Sequence, residues 1–205
     1  MSSSFWLILL AVLSYGLLHT LLASIKAKAL ARNWFGSKTD QWFRLAYNFI
    51  AVFTLLPILL LPILLIDKEI YRIPYPWVIG TLAIQASAIV VLVVGLKQTG
   101  ISSFMGLRQV LLPENTSPPK LVTGGLYRYV RHPLYTAGLV FIWLLPIMTC
   151  NLLALNIGLT AYVLIGAYFE ERKLMLEFGE AYAEYCRHTP MLIPGLRLPH
   201  RGHPK

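Results

Sequence analysis

Charged residues are scarce in this chain, and acidic residues are the scarcest among them. Asp and Glu number only 9 in 205 residues, and all charged residues together make up 13%. Ordinary soluble domains carry about 25% charged residues. Hydrophobic residues account for 57% of the chain. These proportions exclude an ordinary soluble domain and predict an all-α, polytopic membrane protein whose main partner is the lipid bilayer.

Several sequence features of common functional sites are also missing. The two cysteines, Cys150 and Cys186, do not have metal-ligand spacing, so we predict no metal site. No Gly-x-Gly-x-x-Gly loop is present, which excludes a Rossmann nucleotide site. The net charge of +9 suggests nucleic acid, but no basic helix with interleaved aromatics supports such a partner. We therefore predict that the chain binds no nucleic acid.

Five apolar runs are long enough, or nearly so, to cross the hydrocarbon layer. They extend approximately over Phe5–Ser24, Leu45–Ile66, Trp77–Leu96, Leu134–Thr149 and Leu152–Phe169. No basic residue precedes the first run, which predicts a retained span with its N-terminus outside. Residues 25–44 and 97–133 are basic, whereas 67–76 is neutral. This alternation predicts five transmembrane helices and a cytoplasmic C-terminus.

The stretch GGLYRYVRHPLYTAG, residues 124–138, collects most of the chemistry-bearing side chains. The paired glycines allow a tight turn, and Pro133 suits the first turn of a helix. Arg131 and His132 therefore precede an apolar helix, at an end where the helix dipole favours an anion.

A second polar cluster, Glu170–Glu171–Arg172–Lys173, ends the next apolar run. The short connection at Cys150–Asn151 predicts an antiparallel hairpin, which would bring this cluster beside Arg131 and His132. The pattern then continues as an amphipathic C-terminal helix to about Arg187, after which prolines interrupt it.

Each of these residues also has a purely structural interpretation. Arginines can reach lipid headgroups, tyrosines can form an interfacial belt, and glutamates can cap a helix. His19 lies level with Tyr47 and Asn48, and this trio is either a helix–helix hydrogen-bonding group or part of a substrate pocket. Residues 97–123 are either a lid over the site or an inert interfacial loop.

The paired motifs are similar to those of a known superfamily. These are Gly125-x-Tyr127-x3-Arg131-His132-Pro133-x-Tyr135-x2-Gly138, then Glu170-Glu171, then Phe178-Gly179-x2-Tyr182-x2-Tyr185. Over residues 97–195 they resemble the isoprenylcysteine carboxyl methyltransferase superfamily, which includes phospholipid methyltransferases. Ser24, Lys26 and the Arg44-x2-Tyr47-Asn48 element further resemble its bacterial methanethiol S-methyltransferase and NnrU-like branch.

The resemblance implies S-adenosylmethionine as cofactor. We predict one integrated domain, with an N-terminal three-span region (1–96) and a cofactor-binding region (97–205). Arg131, His132 and Glu171 are the implied catalytic residues. Arg131 and His132 can donate to the cofactor carboxylate, and the glutamates can accept from its ammonium or ribose. The implied cofactor-binding residues are Tyr127, Arg131, His132, Pro133, Tyr135, Gly138, Glu170, Glu171 and Tyr182. His19 and Asn48 are the candidate substrate contacts.

The expected function is therefore methyl transfer at a site facing the cytoplasm, in a bacterial inner membrane. A small or lipophilic thiol, an isoprenylcysteine carboxylate and a lipid amine are all possible acceptors, and the bacterial-type N-terminal half favours a thiol. Two alternatives come from other classes. One is a non-enzymatic NnrU-like accessory protein, and the other is a membrane reductase of related fold that binds a nicotinamide.

Overall fold

The computed structural model describes residues 2–36, 38–101, 105, 107–111 and 120–196. Helices dominate this part of the chain. The elements in order are α1 (Ser3–Leu22), α2 (Ile25–Phe35), α3 (Thr39–Leu64), β1 (Glu69–Arg72), α4 (Trp77–Thr99), α5 (Leu107–Leu111), a 3-10 turn (Gly125–Arg128), α6 (Pro133–Trp143), β2 (Ile147–Thr149), α7 (Cys150–Phe178) and α8 (Glu180–His188).

Four helices of the described chain are long and apolar enough to cross a membrane, namely α1, α3, α4 and α7. This result agrees with an integral membrane protein of mostly helical structure. The fourth expected span differs from the prediction, because α6 has only 11 residues and ends at Trp143. Pro146 accounts for this early end, since a proline disfavours helical geometry in the residue before it.

Two short strands modify the expected all-α structure. Residues Glu69–Arg72 form β1, which pairs antiparallel with β2, and Arg72 stands opposite Ile147. The amide of Cys150 donates to the Lys68 carbonyl at 2.9 Å, so the pairing continues to the start of α7. The neutral loop expected at 67–76 is thus partly extended and hydrogen-bonded to the segment that follows α6.

The chain forms two compact units, each built from three segments. The first consists of Met1–Val78, Gly100–Pro118 and Pro146–Tyr162. Its core is a buried apolar cluster composed of Phe5, Ile8, Val12, Ala154 and Leu155. A Cβ atom at Gly158 would lie 2.8 Å from the Cβ of Val12, so the small residue permits close packing of α1 and α7.

The second unit consists of Ile79–Thr99, Pro119–Leu145 and Val163–Lys205. Within it, the Gln85 side chain of α4 is buried and donates to the Phe141 carbonyl of α6 at 2.9 Å. Gly125 adopts a φ of +62°, and a Cβ there would overlap the Gln98 side chain. Glycine is therefore needed at this turn, which leads the chain towards α6.

The expected helix from Glu171 to Arg187 is interrupted. Helix α7 ends at Phe178, Gly179 has a φ of +53°, and α8 begins at Glu180. A left-handed glycine of this kind ends helices at little cost. The division predicted at residue 96 stays a prediction, and so does the lid, because much of 97–123 lies outside the described residues.

Candidate active site

The start of α6 fixes the two residues that carry the site. Pro133 occupies the first helical turn, where its missing N–H costs nothing, and His132 is the N-cap residue. From Ala137 to Trp143 the residues of α6 are apolar. Arg131 and His132 are thereby held at the end of the helix, within the second unit.

The two polar clusters expected from the sequence do meet. The Arg131 Nε atom lies 2.6 Å from Oε1 of Glu171, and the two side chains are only 9% and 16% exposed. The His132 Nε2 atom lies 3.3 Å from the same carboxylate oxygen. Glu171 is thus held by an arginine and a histidine in a largely buried position, as a charge-assisted pair.

Glu170 has different surroundings from its neighbour. Its side chain is 46% exposed, and its Oε2 atom lies 3.7 Å from Nδ1 of His132. The Tyr135 hydroxyl donates to the same oxygen at 2.8 Å. The rings of His132 and Tyr135 stack with their centroids 5.3 Å apart. His132 therefore stands between the two carboxylates, and Glu170 is the more accessible of them.

Arg131 has further partners in the chain that follows α8. Its Nη1 atom donates to the carbonyl of Thr189 at 2.6 Å. The backbone N–H groups of Arg131 and His132 donate to the carbonyls of Pro190 and Met191 at 2.9 and 3.1 Å. Arg131 thus joins Glu171 to the segment that carries Thr189, and its own polar groups are largely used within the protein.

Sequence reasoning missed this segment, which we call the docking segment and define as Thr189–Leu192. Besides the contacts above, the Thr136 hydroxyl donates to the Leu192 carbonyl at 2.7 Å. Thr189 and Pro190 are both buried. The sequence predicts only that prolines after Arg187 interrupt the helix, although a proline such as Pro190 still offers its carbonyl oxygen as an acceptor. The burial of Thr189 and Pro190 is the feature that identifies this segment, and the sequence pattern does not predict it.

The remaining aromatic candidates differ in accessibility. Tyr182 is 1% exposed, and its ring meets that of Tyr185 edge-on at 6.0 Å. The Tyr185 hydroxyl donates to the Tyr127 carbonyl, which ties α8 to the 3-10 turn. Tyr127 itself is partly buried. Tyr182 consequently forms part of the packed wall, and Tyr127 keeps a partly accessible ring.

Burial and charge shift several pKa values around the site. Burial raises the pKa of Tyr127 to about 12, and the charge of Glu170 adds to the shift. Burial also raises the pKa of the Tyr182 hydroxyl and of the Cys186 thiol. For Arg131, burial alone would lower the pKa, but the hydrogen bond and charge of Glu171 raise it. The two tyrosines and Cys186 are therefore neutral at pH 7, and Arg131 is positively charged.

The other predicted residues are placed as follows. Pro133 is buried, while a Cβ at Gly138 would meet nothing within 4 Å, so the backbone there borders open space. His19 and Asn48 belong to the first unit, where the Tyr47 hydroxyl and His19 are hydrogen-bonded. Within the described residues, no group of three or more His, Cys, Asp or Glu side chains could hold a metal ion.

Fold and site define the class: a helical integral membrane protein with a buried Arg–His–Glu cluster at the end of an apolar helix. The family follows from sequence comparison. The phospholipid methyltransferase model matches residues 77–181, half of the chain, and the chain belongs to that family. Every residue of the cluster lies inside the matched range.

Curated relatives give a finer comparison. Methanethiol S-methyltransferase of Crocosphaera subtropica is 42% identical over 92 residues, which are 43% of this chain and 36% of that protein. Its Mycobacterium tuberculosis namesake is 40% identical over 99 residues, 47% of this chain and 39% of that protein. Protein-S-isoprenylcysteine O-methyltransferase B of Arabidopsis thaliana is 32% identical over 81 residues, 37% of this chain and 40% of that protein.

The matches thus span little more than a third of the length of these relatives. No solved structure matches the chain. The predicted superfamily and its bacterial branch are confirmed by the family match and the relatives.

Proposed function

We propose that the protein is an integral membrane methyltransferase that uses S-adenosylmethionine. One observation carries the proposal. Within the family-matched region, Glu171 is held by Arg131 and His132 beside the accessible carboxylate of Glu170. Ionisable side chains among apolar membrane helices are costly and rare, and those that are present typically belong to a functional site. Neither the accessory-protein alternative nor the reductase alternative gains support from the relatives.

The residues present fit the proposed cofactor. Glu170 offers an exposed carboxylate for an ammonium group or ribose hydroxyls, and its hydrogen bond with Tyr135 orients it. Open space borders the backbone at Gly138, and Tyr127 offers a partly accessible ring. When bound, the cofactor supplies a methyl group on a positively charged sulfur, which aromatic rings stabilise.

We further propose a division of roles that differs from the sequence-based expectation. That expectation had Arg131 and Glu171 each bind one end of the cofactor's amino-acid group. Their direct pairing instead favours a positioning role for Arg131, which holds Glu171 and the docking segment. Glu170, His132 and Tyr135 are then the proposed cofactor contacts, with Pro133 and Tyr182 shaping the wall and Glu171 orienting His132.

For the acceptor, we propose a small thiol. One observation supports this class, because two of the relatives above are named methanethiol S-methyltransferase. The chemistry agrees with it, since the thiolate is a strong nucleophile. In addition, transfer of a methyl group from sulfonium to thiolate sulfur needs mainly alignment and exclusion of water. The thiol proton leaves to solvent or to a base such as His132. The expected contacts of the acceptor with His19 and Asn48 stay predictions.

We also propose that the site faces the cytoplasm and that the chain crosses the membrane five times. The alternation of basic and neutral loops supports this topology. The segment between the site and β2 is short for a crossing. The 11 helical residues of α6 cover about 16 Å, and the three residues between α6 and β2 add at most about 10 Å, against a core of about 30 Å. The fifth crossing therefore rests on the charge alternation and on the pairing of β1 with β2.

A methyl-transfer screen tests the function. Purified protein with radiolabelled cofactor would be offered methanethiol, an isoprenylated cysteine and phosphatidylethanolamine in parallel. We expect labelled product with the thiol, and a loss of at least tenfold in Glu170→Gln. Glu184→Gln is the matched control, because this carboxylate of α8 is exposed and pairs with Arg187. Absence of transfer to all three acceptors, with cofactor binding also absent, would contradict the proposal.

A further inference from the structure

Helices α1 and α3 line a groove in the first unit, and its wall includes His19, named above as a candidate substrate contact. Its volume is about 420 Å³. The wall is mostly apolar and is composed of Ala11, Ser14, Tyr15, Leu18, His19, Leu22, Ile50, Ala51, Thr54 and Ile58. Both helices are long and apolar enough to cross a membrane, so the groove opens within the bilayer. An apolar chain from a lipid is the occupant that such a wall accepts.

The length of the groove matches one leaflet. Its residues on α1 extend from Ala11 to Leu22, which is about 16 Å at 1.5 Å per residue. The hydrocarbon core of a bilayer is about 30 Å thick, so one leaflet is about 15 Å deep. The groove therefore has room for one acyl chain that runs parallel to α1.

The end of the groove at Leu22 leads directly into a basic helix. After the turn at Ala23, Ser24 caps α2, and its hydroxyl accepts from the Ala27 amide at 3.1 Å. Lys26 and Lys28 are exposed on this helix. From Leu21 to Thr39 the sequence contains no acidic residue. The chain thus places exposed cations where a lipid headgroup would lie.

Helix α2 also exposes large apolar residues among its lysines, as a membrane-surface helix does. Trp34 is 72% and Phe35 is 76% exposed, and Leu30 is also exposed. Exposed aromatics beside lysines are typical of helices that lie in the headgroup layer. This arrangement puts the basic residues of α2 at the depth of lipid phosphates.

One polar group in the wall lies at the depth of the lipid ester linkages. His19 precedes Leu22 by three residues, about 4.5 Å along the helix. Its ring is hydrogen-bonded to the Tyr47 hydroxyl and stacks on Tyr15, with centroids 5.5 Å apart. The ring is thereby held in place at the edge of the groove, close to its basic end.

We propose that this groove binds one anionic phospholipid from the leaflet that adjoins α2. The acyl chain lies between α1 and α3, the ester region is next to His19, and the phosphate interacts with Lys26 and Lys28. The lipid is a bound component of the first unit and not a methyl acceptor. This inference does not depend on the proposed function.

Native mass spectrometry of the purified protein tests the proposal. Phosphatidylglycerol and phosphatidylethanolamine with identical acyl chains would be titrated separately, and binding of the first lipid molecule measured. We expect phosphatidylglycerol to bind more tightly. Each lysine near an anionic surface contributes about a fivefold change, so Lys26→Gln/Lys28→Gln should weaken its binding about 25-fold.

A charge-matched variant serves as control. Lys68→Gln/Lys120→Gln removes the same charge from exposed positions outside α2, and we expect it to bind phosphatidylglycerol like the unchanged protein. A groove-filling variant, Ala51→Phe, should lose the bound lipid while keeping the lysines. If Ala51→Phe does not fold, the two charge variants decide the question.

Three results would each overturn the proposal: equal affinity for the two lipids, unchanged affinity in Lys26→Gln/Lys28→Gln, or an equal loss in the control. The first would mean that the groove takes any lipid. The second and third would mean that the lysines of α2 do not hold the headgroup.

Discussion

Arg131 and Glu170 lie near the same histidine but are exposed to very different degrees. The Arg131 side chain is 9% exposed and the Glu170 side chain 46%. A buried charge is costly unless it is paired, so the loss of either partner of the Arg131–Glu171 pair leaves an uncompensated charge. An exposed carboxylate can be replaced at little cost to stability. The cluster therefore has a buried pair that supports the structure, Arg131 and Glu171, and an accessible carboxylate, Glu170.

The first prediction concerns Arg131. We expect Arg131→Ala to lower the free energy of unfolding by about 3 kcal/mol, because Glu171 would be left buried and unpaired. We also expect it to weaken binding of the demethylated cofactor product about tenfold, since the docking segment and Glu171 both lose their anchor. Thermal unfolding in detergent and calorimetry with the product measure the two effects.

Two further variants distinguish support from ligand contact. Arg131→Met/Glu171→Leu removes both charges together and should recover most of the lost stability, because a hydrophobic pair often replaces a buried ion pair without cost. Glu170→Gln should weaken product binding while the midpoint of thermal unfolding stays unchanged. The division of roles is wrong if Arg131→Ala leaves stability intact and abolishes binding.

At the scale of elements, the docking segment decides how α6 begins. Its carbonyls accept from the backbone amides of Arg131 and His132 and from the hydroxyl of Thr136. These amides precede the helix and would otherwise be unsatisfied in a buried place. The docking segment therefore provides hydrogen-bond acceptors at the start of α6, as a capping side chain does in other helices. Its Thr189 carbonyl also accepts from the Arg131 side chain.

The second prediction is a pair of truncations. Removal of every residue after His188 should lower the midpoint of thermal unfolding and reduce product binding, because at least four hydrogen bonds around Arg131 and α6 disappear. Truncation after Leu196 retains these contacts and should behave like the full chain. If both truncated proteins are equally stable, the docking segment has no supporting role.

At the scale of the whole molecule, the strand pair bears on the membrane topology. Residues of β1 follow α3, and residues of β2 precede α7, yet the two strands are paired. Their pairing requires that residues 69–72 and 147–149 lie on the same side of the membrane. We propose that α4 crosses between them, in which case a second crossing must bring the chain back, and the segment containing α6 is the candidate for it.

The third prediction tests this topology with reporters. Fusions after Lys205 and within residues 97–123 should both report the cytoplasm, and one at Glu69 should report the outside, as the charge distribution requires. A reporter at Thr149 should agree with the one at Glu69. An outside location for the C-terminal fusion would contradict the cytoplasmic site, because the cofactor is made in the cytoplasm.

Composition and local pattern determined much of this protein without tertiary information. Long apolar runs need no partner to be recognised, because a span must satisfy its own backbone hydrogen bonds. The paired motifs likewise indicated the family, and a short connection between apolar runs indicated that Arg131 and His132 would meet Glu171. These features are local in sequence, or depend on a single turn.

Tertiary structure decided the features that depend on contacts between distant residues. Two such contacts join residues far apart in the chain: β1 pairs with β2, and Thr189–Leu192 is hydrogen-bonded to the start of α6. No periodic sequence pattern predicts either contact. The different burial of Glu170 and Glu171 also depends on contacts between distant residues. Adjacent residues on a helix point about 100° apart, so one meets Arg131 and the other remains accessible. The sequence determined that two carboxylates would be there, and only packing determined which one is buried.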